Sequence, residues 1–319
     1  MLPKPVGFDF DVWNQSLKDY HDSTYILQGI HDGFDIGWIQ ETEPTYIADP
    51  YLPVTDHEIL QITLWICKRH ASGILLGPFT EQTCPYEHVY FAPLFTVAKP
   101  DLTARTVCHL SSPRSGTSVN DCIAEEAKAV QYILFTEVAK FVYDLGYDAR
   151  LWVVDAKDAY YRVPIKRKYW RYMGIKWFGA IFLFTSLQMG LGSACAIYER
   201  FADAVLYIIR TKKPDLFRIP GGGYYIHHYL DDFFGGHSNL QTARDQVWAV
   251  WKWFILLGIP TQKKKLKWPD WKQIILGWLY DTRSRTVSLP NNKVVSYCGL
   301  ITRLIRTRRS GTNTQRVRL

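Results

Sequence analysis

His228-Tyr229-Leu230-Asp231-Asp232 is the stretch on which the reading of this chain turns. Two adjacent carboxylates stand between apolar runs, Tyr224 to Leu230 before them and Phe233 to Gly235 after them, with Gly221-Gly222-Gly223 as a flexible turn upstream. The pattern predicts a β-hairpin with the aspartates at its tip. Alone, an Asp-Asp pair is most often a solvated turn. A second stretch, Val153-Val154-Asp155-Ala156-Lys157-Asp158-Ala159-Tyr160, changes that weighting. Leu151 to Val154 reads as a short buried strand that ends on Asp155. A carboxylate there must be solvated, paired or metal-bound, because burying a bare charge is costly. Two such strand ends, side by side, would bring carboxylates to one sheet edge. Nucleotidyl transfer makes that demand, since it uses two divalent cations about 3.5–4 Å apart. Mg²⁺ takes carboxylate, phosphate and water oxygens.

Around these stretches the periodicity predicts an α+β chain. Asp56 to His70 carries apolar residues at helical spacing, with Asp56 as N-cap and Ser72-Gly73 as stop. Residues 88–97 and Arg105 to Leu110 read as the two strands of a hairpin bearing Lys99 and Arg105. Glu125 to Leu145 reads as one helix with Gly146 beyond it, Ser193 to Ile209 as another, and Thr242 to Leu257 as a Trp-rich third. Ile181 to Phe184, Ile274 to Tyr280 and Arg285 to Leu289 are strands. Residues 1–60 read as loop-rich, with Pro44, Pro50 and Pro53 interrupting them.

Composition narrows the partners. The chain has 319 residues, 47% of them hydrophobic and 15% aromatic, which excludes a disordered chain. Its net charge is +8. Residues 1–90 hold thirteen acids against four bases, a balance of −9, which leaves +17 on the remainder. A basic, aromatic-rich body fits a polyanionic partner. The six cysteines show no CxxC spacing and read as reduced thiols. Met1 to Asp11 lacks the pattern of a signal peptide, and the most apolar stretches are too short or interrupted to span a bilayer. The expectation is a soluble intracellular protein, cytoplasmic or nuclear, with no membrane contact.

Taken together, these residues resemble the reverse transcriptases of the YxDD type, and most closely those of DIRS-type retrotransposons and their viral relatives. The resemblance runs from about Tyr25 to Lys293. Arg105 to Asp121 (RTVCHLSSPRSGTSVND) is similar to that group's fingers motif, and Val154 to Pro164 (VDAKDAYYRVP) to polymerase motif A. Leu187 to Tyr198 (LQMGLGSACAIY) is similar to motif B and His228 to Asp232 to motif C. Leu257-Gly258-Ile259-Pro260 with Lys263 to Lys265 is similar to motif D, and Ile275-Leu276-Gly277-Trp278 to the primer grip. The resemblance implies a right-hand polymerase with fingers and an antiparallel palm sheet with helices, its thumb truncated or absent. The implied organisation is an acidic N-terminal extension (1–80), fingers (81–150), palm (151–289, with fingers elements at about 163–184), and a vestigial thumb start with a basic tail (290–319).

The implied activity is RNA-directed DNA polymerisation, with dNTPs added to a primer 3′-hydroxyl. Asp155, Asp231 and Asp232 would hold two Mg²⁺ ions, with Mn²⁺ as a substitute, and Lys265 would serve as the motif D acid, although Lys263 and Lys264 compete for that role. Tyr160 would be the steric gate that excludes a 2′-hydroxyl. Lys99, Arg105, Asp158, Ala159 and Met189 would meet the incoming dNTP. Gly190, Ser193, Tyr229, Leu276, Gly277 and Trp278 would meet primer and template. The implied partners are an RNA template, a DNA primer or product, and a protein supplying thumb or RNase H function. The chain departs from the family where Gln188 and Cys195 replace the motif B prolines, which loosens that turn. It departs again in Ile301 to Leu319, which carries Arg303, Arg306, Arg308, Arg309, Arg316 and Arg318 with no acid and reads as a basic tail or disorder. Two other readings stand beside the first: a polymerase-derived nucleic-acid-binding scaffold without turnover, and an RNA-dependent RNA polymerase.

Overall fold

The computed structural model describes residues 7–47, 55–98, 104–261 and 265–309. Three helices come first: α1 (Phe10–Ser16), α2 (Ser23–Asp32) and α3 (Asp56–Ala71). Strands β1 (Leu75–Phe79), β2 (Leu94–Ala98) and β3 (Ala104–Cys108) follow, then α4 (Glu125–Lys128) and α5 (Phe135–Asp144). Strand β4 (Arg150–Asp155) leads into the single-turn α6 (Ala159–Arg162), strands β5 (Gly174–Trp177) and β6 (Ala180–Phe184), and the long α7 (Ala194–Lys212). Then come α8 (Pro214–Phe217), the hairpin of β7 (Ile226–Tyr229) and β8 (Asp232–His237), and α9 (Leu240–Leu256). Strands β9 (Lys267–Asp270), β10 (Lys272–Ile275), β11 (Trp278–Asp281) and β12 (Thr286–Ser288) precede α10 (Asn291–Arg309). The strands pair antiparallel throughout, in sheets ordered β1-β6-β5, β2-β3, β7-β8-β4-β9 and β10-β11-β12.

The four-stranded sheet is the centre of the fold, and β4 is buried on both of its faces. Successive side chains of a strand point to opposite faces. Trp152 and Val154 therefore join the main core with Val247, Val250 and Phe254 of α9. Leu151 and Val153 join a second cluster with Val138, Phe141 and Val142 of α5. Covering on both sides explains why the strand reads as a continuous apolar run. The fully buried Trp152 indole donates to Gln246 Oε1 at 2.9 Å, and Gln246 Nε2 donates to the Leu216 carbonyl at 2.8 Å. Gly235 lies opposite Trp152 across the ladder, and a Cβ there would sit 2.4 Å from the indole. Edge strand β9 carries Pro269, a residue that an edge tolerates because it lacks an N–H.

The acidic N-terminal part packs into this same core. Trp13 of α1 is fully buried, donates its indole N–H to the Leu257 carbonyl at 3.0 Å, and packs with its ring tilted 5.0 Å from Phe201 of α7. Arg200 forms a bidentate pair with Asp22 and lies over the Tyr25 ring.

Several local expectations differ from the structure. The expected helix over Glu125 to Leu145 is two helices, with extended backbone between Lys128 and Phe135. There, the Tyr132 ring lies tilted 4.7 Å from that of Tyr229 and Ile133 packs on the second cluster, so tertiary contacts outweigh helical propensity. The expected strand Ile274 to Tyr280 is a hairpin. Leu276 and Gly277 both have positive φ (+48° and +81°), as the favoured two-residue hairpin turn requires. The N-cap of α3 is Thr55, whose hydroxyl accepts from the Glu58 N–H, and Asp56 is the first helical residue. Residues 1–60 hold α1, α2 and the start of α3. Of strand 88–97 only Leu94 onward enters the hairpin, as β2; before Pro93, which has no N–H to give, Tyr90 to Ala92 bond Arg171 and Gly174 instead. The basic segment from Ile301 is helical as far as Arg309, in one helix with Asn291. Lys99 and residues beyond Arg309, including Arg316 and Arg318, lie outside the described residues. All six cysteines are free. Among the described residues no helix is long and apolar enough to cross a membrane.

His227 of β7 supplies a stability prediction. Its ring lies 4.6 Å from Phe141 and 6.0 Å from Phe234. Burial pushes its pKa from 6.5 down to about 4, with Arg210 and His228 acting in the same direction. Between those values the unfolded chain binds a proton that the folded chain refuses. Stability therefore falls as pH drops through 6.5 and levels off near 4, by up to about 3 kcal/mol. Urea unfolding at pH 7.5 and pH 5, on the protein and on His227→Phe, checks this. The variant should lose that share of the pH dependence, and an unchanged pH dependence would refute it.

Candidate active site

The register of the central sheet places Asp155, the last residue of β4, directly opposite Asp232, the first of β8. Tyr229 closes the other side of the hairpin, opposite Asp232, and Leu230-Asp231 form its two-residue turn. Leu230 has a φ of +50°, a conformation that costs a non-glycine residue about 1–3 kcal/mol and persists only where its surroundings hold it. Its side chain packs back on the main core. The Ala156 N–H donates to the Asp231 carbonyl at 2.9 Å, which ties the two carboxylate-bearing segments beyond the ladder. The Lys157 N–H donates to the Pro260 carbonyl at 2.8 Å and draws in the segment that carries Lys265. Lys265 Nζ donates to Asp155 Oδ2 at 2.8 Å. Sequence-predicted Asp155, Asp231, Asp232 and Lys265 thus converge. Lys263 and Lys264 lie outside the described residues.

The electrostatics are those of crowded acids. Asp155 is 6% exposed. Burial first, then the nearby charges of Asp231 and Asp155, pushes the Asp232 pKa up to about 6. Burial also raises Asp231, with Asp155 adding to the effect and its own backbone N–H and Lys265 opposing it. The hydrogen bond to Asp155 raises Lys265. Beneath the carboxylates lies Tyr198 of α7, whose hydroxyl is pushed well up by burial and then by Asp231 and Asp155. Lys267 of β9 is lowered by burial, while Asp232 and Asp155 pull it the other way.

Among the described residues no group of three or more His, Cys, Asp or Glu side chains is arranged to hold a metal ion. The donor chemistry of the three aspartates nevertheless suits a hard divalent cation, which takes carboxylate oxygens. Their mutual repulsion, offset by the Lys265 ammonium, is what such a cation would relieve.

Tyr229, Asp231, Asp232, Leu276, Gly277 and Trp278 line one cleft of about 520 Å³. The hairpin expected to hold a primer thus faces the paired aspartates. Lys293, at the start of α10, lines the same cleft and donates to the Gly277 carbonyl at 3.1 Å.

The other predicted residues surround this centre. Ala159 and Tyr160 begin α6. The Tyr160 hydroxyl lies 3.3 Å from Cys195 Sγ and its ring 5.3 Å from Tyr198. Asp158 sits in the left-handed region just before α6, with its carboxylate 3.6 Å from Arg69 and 4.0 Å from Lys157. Met189 and Gly190 form the turn before α7, and the Arg105 guanidinium of β3 contacts the Met189 sulfur. Gly190 has φ +100°, and a Cβ there would lie 3.1 Å from the Cys108 carbonyl. Asn120 clamps this turn: Nδ2 donates to the Gly190 carbonyl and Oδ1 accepts the Gly192 N–H, both at 2.8 Å. Ser193 is fully buried at the start of α7. Its hydroxyl and both side-chain polar atoms of buried Gln188 lack hydrogen-bond partners.

Sequence reasoning missed Arg69, Tyr132, Tyr198, Glu199, Lys267 and Lys293. Arg69 reaches Asp158 from α3 while stacking 4.3 Å over Tyr161. Glu199 accepts the Leu230 N–H at 3.2 Å. Neither residue belongs to a short-range pattern, and only the folded topology brings each to the site.

No protein-family model matches the sequence, and no curated protein matches it. Solved structures do. The native prototype foamy virus protease-reverse transcriptase is 18% identical, with a TM-score of 0.58 over 80% of this chain and 30% of that one. The selenomethionine-labelled CSH mutant of that enzyme gives a TM-score of 0.55 at 18% identity, over 91% of this chain and 37% of that one. The chain thus spans about a third of the length of the structures it resembles. At this identity the likeness is one of architecture: the chain has a reverse-transcriptase-like fold.

Proposed function

We propose that the chain is an RNA-directed DNA polymerase of the YxDD type, related to the enzymes of DIRS-type retrotransposons and their viral relatives. The observation that carries this reading is the Asp155–Asp232 cross-strand pair, with Asp231 in the adjoining turn and Lys265 on Asp155. Asp155, Asp231 and Asp232 would hold Mg²⁺, which when bound lowers the barrier to in-line attack at an α-phosphate. Lys265 keeps a proton within reach of the reacting phosphates. Tyr160, backed by Cys195 and Tyr198, presents a ring edge against the sugar and favours dNTPs over rNTPs. The 276–278 turn and Tyr229 receive the primer end, and an RNA template with its DNA product is the partner class. Arg105 and Arg69 add cationic reach toward a triphosphate.

The Lys265–Asp155 pair also motivates a second reading, a nucleic-acid-binding scaffold, because an ammonium on a carboxylate competes with a cation there. Primer extension on RNA and DNA templates, with dNTPs or rNTPs and with Mg²⁺ or Mn²⁺, separates the two. The expected result is dNTP incorporation on RNA that needs the added metal. Salt-sensitive duplex binding with no extension in either metal would favour the scaffold. Equal use of rNTPs would favour an RNA polymerase.

A further inference from the structure

The buried face of α7 holds a group that the proposed reaction does not use. Glu199 is 8% exposed and lies beneath the hairpin that carries Asp231 and Asp232. Its Oε2 accepts the Leu230 N–H at 3.2 Å. That amide sits in the turn itself, where no neighbouring strand can pair with it, and a buried N–H without an acceptor is strongly disfavoured. The left-handed backbone of Leu230 and the packing of its side chain on the core both fix where the amide points. His228, 5% exposed, braces the arrangement from β7, with Nε2 2.9 Å from Asp203 Oδ1 and Nδ1 3.9 Å from Glu199 Oε1. Burial raises the Glu199 pKa, with His228 and the Leu230 N–H opposing.

We infer that Glu199 is a positioning residue, whose carboxylate holds the Leu230 amide and so sets the turn that aims Asp231 and Asp232 at the reacting phosphate. Helix α7 also carries Cys195 against Tyr160 and Tyr198 beneath the aspartates, so one helix face aligns the sugar gate and the acidic hairpin together. The inference about catalysis rests on the polymerase reading; the inference about the turn does not.

The test compares Glu199→Gln, which keeps an acceptor oxygen, with Glu199→Met, which keeps the bulk and removes it. Hydrogen exchange at the Leu230 amide and steady-state dNTP incorporation are measured on each. Glu199→Met should speed Leu230 exchange about tenfold and lower kcat about tenfold, with the dNTP KM within about threefold of the parent. Glu199→Gln should stay within about threefold of the parent in both measurements. A folded Glu199→Met with unchanged exchange and kcat would overturn the inference, as would equal loss in both variants. If Glu199→Met does not fold, Glu199→Ala is read in the same way. A parent protein that incorporates no dNTP defeats the polymerase reading, and the exchange comparison then still decides the role of Glu199.

Discussion

Asp155→Asn and Asp231→Asn are each expected, on the proposed polymerase reading, to lower dNTP incorporation on the order of 10³-fold or more, since each would remove charge that steadies the transition state. The two losses should not add in the double variant, because the carboxylates act as a unit. The accompanying stability change sharpens the test. Asp231 has its pKa raised by burial and by Asp155, so its ionised form is penalised in the folded state. A carboxylate raised in this way weakens the fold at neutral pH, where it is charged. Asn at 231 should therefore leave thermal stability at pH 7 equal to or above that of the parent. Loss of activity with retained or improved stability marks a site kept for chemistry at the expense of the fold. Incorporation that survives either substitution would sink the assignment.

Trp152→Ala should cost about 3–5 kcal/mol in urea unfolding, the range for truncating a buried tryptophan. The indole fills the space between β4 and α9 and is fully buried. Its removal also strands Gln246 Oε1, a buried acceptor. Gly235 gives an independent check on the geometry. Gly235→Ala alone should cost about 1–3 kcal/mol by overpacking, because its Cβ would press on Trp152 and on the Tyr225 carbonyl. In the Trp152→Ala background one of these two obstacles is gone, so the cost should shrink and the cycle should show coupling. A Trp152→Ala protein within about 1 kcal/mol of the parent would contradict this packing.

The carboxylate constellation was legible because its signals are local. Strand β4 shows as an apolar run that stops at Asp155, and the hairpin shows as two apolar runs around Asp231-Asp232. Long helices with continuous stripes, α3, α7 and α9, were legible for the same reason. Local patterns failed where distant contacts decide the conformation. The break between α4 and α5 follows from Tyr132 meeting Tyr229, nearly a hundred residues away in sequence. The turn at Leu276-Gly277 hides inside an apolar run because leucine does not advertise a positive φ. Arg69 and Glu199 reach the site from helices whose periodicity explains them fully as surface or core positions.

The hydrogen bond from Trp13 to the Leu257 carbonyl links residues 244 positions apart. Closing so long a loop is slow, and in a chain made from its N-terminus this bond must wait until the end of α9 has been synthesised. Until then Trp13 lacks this acceptor and can pack only on residues already made, such as Phe201 of α7. During synthesis the opening segment is therefore held less completely than in the finished protein, where the Trp13 bond is a late-closing latch. Protease cutting near residues 10–30 in arrested nascent chains, lost once residue 257 has emerged, would be the kinetic signature of that latch.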